Sequence, residues 1–198
     1  MSVTRPNRLK RLPVEFYQGE AWVHWVLTIE DRKRGWLDAR LLYRFREILT
    51  HAAFRYRFAC PIYCLMPDHM YLLWVGLASC SDQLNAMQRF RLDMNDSLKR
   101  IGVMFQKQAY DHVLKERELE RNAIEATAEY IARNPERRGL IPVDGYANYP
   151  FTSCLLPGAC QLRLFRETGW DEIWRTMTFL KRTECFHRND PKYGDQKT

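Results

Sequence analysis

Apolar residues along the chain fall into runs whose spacing alternates between strand-like and helix-like. Trp22 to Ile29 reads WVHWVLTI, rich in β-branched and aromatic residues, and predicts a buried strand. A polar stretch from Glu30 to Gly35 turns the chain. Asp38 can then cap a helix with Leu41, Leu42, Phe45, Ile48 and Leu49 at helical spacing. Phe58 to Val75 holds two apolar runs, FACPIYCLM and MYLLWV, broken by Pro67 and Asp68, which predicts a strand pair joined by a tight turn.

Ser81 or Asp82 opens a second predicted helix, running to about Arg100 with Leu84, Met87, Phe90, Leu92 and Met94 inward. Phe105 to Leu114 predicts an irregular segment or a short strand. A third helix is expected from about Glu118 to near Asn134, where Pro135 disfavours helical geometry at the residue before it. Gly139 to Cys154 reads as loop with a possible short strand, and Trp170 to Leu180 as a last amphipathic helix. The connections are too short for parallel crossovers, so the pattern predicts an α+β fold, an antiparallel sheet with helices packed on it. The expected organisation is a basic, extended N-terminal arm over 1–18, a main domain over 19–155, and a C-terminal helix and polar tail over 156–198.

The 198 residues suit one such domain, and an apolar fraction of 46% can bury a real core. Charge changes the picture more. Lys and Arg number 31 against 24 Asp and Glu, a net +7, which is compatible with a polyanionic partner. The cations cluster: Arg5, Arg8, Lys10 and Arg11; Arg32, Lys33 and Arg34; Arg44, Arg46, Arg55 and Arg57; Arg89 and Arg91; Arg133, Arg137 and Arg138. Any one cluster reads first as a solvated surface. Arginine recurring beside the segments discussed next points to phosphate contacts.

Six cysteines form no CxxC pair and no zinc-like spacing. Cys60 and Cys64, in one strand, would lie roughly 13 Å apart, too far to share a metal. No apolar run is long enough to span a membrane and the basic N-terminus lacks the apolar core of a signal peptide, so a reduced, cytoplasmic protein is expected.

Two segments carry candidate chemistry. In CLMPDHMYLLW (64 to 74), strand alternation projects His69 and Tyr71 from one face and Met70 and Leu72 from the other. The same alternation sends Asp68 away from His69. In AEYIARNPERRGLI (128 to 141), Tyr130 and Asn134 are four apart on one helix face, at the margin of a core stripe of Ile124, Ala128 and Ile131. Taken singly, a strand histidine is more often packed than a ligand, and a tyrosine at a helix margin more often packs with its hydroxyl satisfied.

Taken together and in order, these segments resemble the HUH single-tyrosine transposases, most closely the branch associated with repetitive extragenic palindromes (REP). MPDH at 66–69, YDHVL at 110–114, YIARNPERRGLI at 130–141 and YPFTSC at 149–154 carry the resemblance, which spans roughly residues 20 to 155. It implies a ferredoxin- or RRM-like HUH nuclease fold and a metal-dependent nick in single-stranded or hairpin DNA through a 5′-phosphotyrosine. By position it implies Tyr130 as nucleophile, and His69, Asn134 and Tyr71 around a divalent ion, Mg²⁺ or Mn²⁺. Arg32, Lys33, Arg34, Arg133, Arg137 and Arg138 become the expected DNA contacts, and the protein a monomer or homodimer.

The departure is Tyr71, which stands where the pattern has a second histidine. A neutral phenol is a poor Mg²⁺ ligand beside imidazole. The alternative is therefore a relative that binds structured nucleic acid without cleaving it. Asp68, His24 and His112 are the residues that could compensate. His24 shares a face with Trp22 and Val26 and reads as structural.

Overall fold

The computed structural model describes residues 11–159 and 162–183. The basic residues Arg5, Arg8 and Lys10 and the polar tail expected beyond Thr183 lie outside the described residues. Five strands, β1 (Trp22–Thr28), β2 (Phe58–Met66), β3 (His69–Gly76), β4 (Tyr110–Val113) and β5 (Thr152–Leu155), form one sheet in the order β4-β1-β3-β2-β5. Every neighbouring pair is antiparallel. Since β3 runs against both β1 and β2, those two are parallel to each other, and helix α1 (Ala39–Tyr56) is the crossover between them. The expected exclusion of crossovers thus holds for adjacent strands and not for β1 and β2, because a third strand fills the gap.

Asp38 caps α1 by accepting from the Leu41 amide at 2.7 Å, and Asp82 caps α2 (Gln83–Leu98) by accepting from Asn85. Both helices cover one face of the sheet. Phe45, Leu49 and Phe90 pack there on Trp25, Leu27, Phe58, Leu72 and Trp74. Leu92 is the exception among the expected inward residues and is exposed, since it lies off the stripe set by Ala86, Met87, Phe90, Met94 and Leu98.

The other face carries α3 (Arg121–Ala132), the short α4 (Asn134–Arg137) and α5 (Gly169–Arg182). Ile124, Ala128, Ile131, Ile173 and Met177 pack there on Ile62, Cys64, Leu73 and Val75. Among the strands, α3 leans on β2 and β3. The β1 and β4 side of this face stays partly open: His24, Val26 and Thr28 are half-buried and Tyr110 is exposed.

A β-bulge interrupts β2 between Ala59 and Ile62, around Pro61, which lacks the N–H that regular pairing needs. The extra residue reverses alternation, so Cys60 faces the α1/α2 core and Cys64 faces the α3/α5 core. The N-terminal arm also differs from expectation. Val14–Tyr17 forms a 3-10 turn, Tyr17 is fully buried, and Gln18 bridges to Asp82, so the end of the arm belongs to the body. The Tyr17 ring tilts against Trp25 and its hydroxyl donates to Asp111.

Gly76 ends β3 where the chain passes Gly19. A Cβ there would lie 1.7 Å from the Gly19 carbonyl oxygen, a backbone atom that cannot swing aside. Gly76→Ala is expected to cost about 3 kcal/mol or more in chemical denaturation.

His24 sits opposite His112 on β4, its ring stacked on Tyr71 at 5.8 Å, with a buried Nε2 that has no hydrogen-bond partner. Burial, reinforced by the neighbouring His112, lowers its pKa to about 4. The unfolded chain therefore takes up the proton first, and stability present above the usual histidine value is lost as pH falls from about 6.5 towards 4. His24→Gln is expected to remove about 2 kcal/mol of the stability difference between pH 7 and pH 4.5, read from denaturation midpoints at the two pH values.

Candidate functional site

The tight turn at Pro67 and Asp68 makes His69 the first residue of β3, paired with Met66 on β2 and Thr28 on β1. Its neighbours anchor the turn: the Trp36 indole N–H donates to the Pro67 carbonyl at 2.7 Å, and the Ile29 amide donates to the Asp68 carbonyl at 2.9 Å. His69 is buried and points to the α3 side, as does Tyr71, whose ring meets the His69 ring edge-on at 4.8 Å.

Asp68 behaves differently from the sequence expectation. It lies in the turn and not in the strand, so alternation does not apply to it. Its carboxylate accepts from His69 Nδ1 at 2.6 Å and pairs with Arg32 at 3.0 Å. Burial works against its ionisation, yet the hydrogen bonds from His69 and Arg32 prevail and hold its pKa below the usual value. Burial lowers the pKa of His69, and the opposing pull of Asp68 does not cancel it; Arg32 and Arg138 add to the lowering. At neutral pH the pair is therefore a carboxylate and a neutral imidazole, with Nδ1–H donating and the Nε2 lone pair left for another partner.

Tyr130 is half exposed at the end of α3. Burial is the main cause of a raised Tyr71 pKa, and Tyr130 is near enough to raise it further, while Arg138 opposes both. The three groups thus share one neighbourhood with His69. Arg137 lies over the Tyr130 ring, 4.1 Å from its centroid, and donates to the Tyr130 carbonyl.

The helix face expected to carry Tyr130 and Asn134 is interrupted. α3 ends at Ala132 and Asn134 opens α4, with Pro135 directly after it. Asn134 is buried, and its amide nitrogen donates to the carbonyls of Tyr130 and Ile131 at 2.9 and 3.2 Å. Two carbonyl acceptors fix that orientation, so the amide oxygen is the end turned away from them.

These donors fit a resident divalent ion poorly. They comprise one imidazole nitrogen, one amide oxygen and a phenol that burial keeps protonated, with no carboxylate, because Asp68 is already committed to His69 and Arg32. Among the described residues no cluster of three or more His, Cys, Asp or Glu side chains could hold a metal. The other candidates for compensation have local roles: His24 stacks on Tyr71, and His112 pairs with Glu118 at 2.8 Å.

The arginines divide into two kinds. Arg133 pairs with Glu129, Glu136 and Asp144 and lies 4.3 Å from the Tyr146 ring centroid, so its charge is spent on joining α3, α4 and the following loop. Arg32 is tied to Asp68. Lys33, Arg34, Arg137 and Arg138 are exposed and make no ion pair among the described residues. Asp68 is the site residue that sequence reasoning argued away. The signal that could have found it was the Met-Pro-Asp turn itself, where strand alternation does not hold.

No protein-family model matches the chain, and no curated protein matches it. Among solved structures it is similar to a REP-associated tyrosine transposase bound to a REP hairpin, at 14% identity and a TM-score of 0.59 over 73% of this chain and 81% of that one. A bacterial tRNA(His) guanylyltransferase-like protein in complex with GTP aligns at 14% identity over 73% of each chain, with a TM-score of 0.38, short of a common fold. Among the described residues no helix is long and apolar enough to cross a membrane. The antiparallel sheet with helices on both faces is thus the fold shared with the REP-associated tyrosine transposase.

Proposed function

We propose that this chain binds single-stranded or hairpin DNA over the face bearing His69, Tyr71 and Tyr130, and that Tyr130 is its nucleophile. The observation that carries the reading is the grouping of a half-exposed Tyr130 with Arg138, Tyr71 and the neutral, Asp68-held His69. The fold shared with a hairpin-bound transposase supports the choice of ligand. In the proposed step the phenol oxygen bonds phosphorus, the bond to the 3′-oxygen breaks, and the products are a 5′-phosphotyrosine and a 3′-hydroxyl. The phenol must lose a proton and the leaving oxygen must gain one. The Nε2 lone pair of His69 is a base suited to the first task, water supplies the proton for the second, and Asp68 is a positioning residue that holds the ring. Arg137 and Arg138 supply positive charge where the phosphate would gain negative charge.

A divalent ion, Mg²⁺ or Mn²⁺, would polarise the phosphate if bound; its protein ligands would be Asn134 and the same His69 Nε2 lone pair, so His69 would then hold the ion instead of acting as the base. The donor set is too poor to keep the ion as a resident cofactor. That same observation, a protonated Tyr71 at the second-histidine position, favours a second reading, in which the chain binds hairpin DNA without cutting it.

Labelled single-stranded hairpin DNA incubated with the protein, with and without Mn²⁺, and resolved on a denaturing gel separates the two. The nicking reading expects a covalent adduct that is lost in Tyr130→Phe and forms at least about tenfold more slowly in Asp68→Asn. Binding without any adduct selects the second reading, and Tyr71→His is then expected to strengthen Mn²⁺ binding. No DNA binding even at low salt would remove both.

A further inference from the structure

On the opposite face of the sheet, α2 forms a cleft of about 500 Å³ with the N-terminal segment and the loop before β4. Its polar lining comes from Arg11, Asn85, Gln88, Arg91, Asn95 and Lys107, with no acidic side chain. None of these residues belongs to the His69–Tyr130 site.

Arg91 is held firmly, donating through one terminal nitrogen to the Gln106 carbonyl. Its Nε is buried without a hydrogen-bond partner, and no carboxylate pairs with it among the described residues. Burial lowers its pKa, and the neighbouring Arg11, which lines the same cleft, lowers it further. Arg11 does have a carboxylate, Asp111 at 3.1 Å, but Tyr17 takes the second oxygen of Asp111. Lys107 is exposed and makes no ion pair among the described residues. Asn95 accepts from the Phe105 amide through its oxygen at 2.9 Å, which leaves its amide nitrogen as a further donor. Desolvated like charges are unfavourable unless an anion completes them.

We propose that this cleft is a phosphate-binding site, taking a phosphoryl group between Arg91, Arg11 and Lys107. Tetrahedral oxyanions match such a set of forked and single cationic donors. The backbone also links the cleft to the other site. Thr28 pairs with His69 on β3, and its carbonyl accepts from the Gln106 amide at 2.8 Å, one residue before Lys107. A polynucleotide leaving the His69 end of the sheet would pass the β4 edge and exposed Tyr110 to reach Lys107. That the phosphate belongs to a nucleic acid rests on the reading of the His69–Tyr130 face; affinity for a phosphoryl group does not.

The full chain would be titrated with inorganic pyrophosphate, followed by the arginine Nε–H resonances, and separately with a fluorescent oligothymidylate at several salt concentrations. Saturable pyrophosphate binding is expected, weakened about tenfold in Arg91→Gln and severalfold in Lys107→Gln; the latter change is at an exposed residue and leaves folding intact. Oligothymidylate affinity should fall severalfold in Lys107→Gln, with a salt dependence shallower by about one charge. If pyrophosphate binding depends on Lys107 while oligothymidylate binding does not, the site stands and its ligand is a free phosphoryl compound. Failure of pyrophosphate to saturate, or equal affinity in wild type and Lys107→Gln, overturns the proposal. If oligothymidylate does not bind at all, the reading of the His69 face fails, and the pyrophosphate arm still decides this one.

Discussion

The double pairing of β3, with β1 on one side and β2 on the other, is the constraint on which the rest of the molecule depends. The turn at Pro67 and Asp68 sets its register, pairing Met66 with His69. Alternation then sends Met70, Leu72 and Trp74 into the α1/α2 core and His69, Tyr71, Leu73 and Val75 to the α3 side. A slip of one residue would exchange those sets, burying imidazole and phenol among aromatic core residues. The indole of Trp36 on the Pro67 carbonyl and the Ile29 amide on the Asp68 carbonyl tie the turn to two other parts of the chain.

Because the register is held so firmly, the chemistry of the turn is held with it. Asp68 serves both as an ion-pair partner of Arg32 and as the acceptor that orients His69. Burial decides the protonation of the pair: it is the larger influence on His69 and keeps the imidazole neutral. The arginines around this face show how little a sequence count of charge conveys. Arg133 is closed into a network with three acids, while its neighbours Arg137 and Arg138 remain exposed, and one lies over the Tyr130 ring. A phosphate approaching this face would meet the second kind.

Much of the fold was legible because its signals are local. The Asp38 and Asp82 caps, the WVHWVLTI strand and the interrupted apolar runs around Pro67 each express a backbone preference over a few residues. Where the reading missed, a longer-range fact intervened. Leu92 is exposed because α2 turns a stripe through Ala86 and Leu98 to the sheet. Tyr17 reads in the sequence as part of an extended arm because nothing near it reveals that Trp25 and Asp111 enclose it. Cys60 and Cys64 part company at a bulge that regular alternation does not anticipate.

The order of the amino acids alone determined that His69 and Tyr71 share a strand face, that Tyr130 stands at the margin of a helical stripe, and that an antiparallel sheet carries them. Periodicity is a property of the backbone, and it survives without knowledge of neighbours. Only the tertiary structure decided that Asp68 serves His69, that Arg133 is spent internally, and that Arg91 is left without a carboxylate beside Arg11. Those outcomes turn on which charges and dipoles are brought within a few ångströms after folding, and on how far water is kept from them, quantities that sequence distance does not encode.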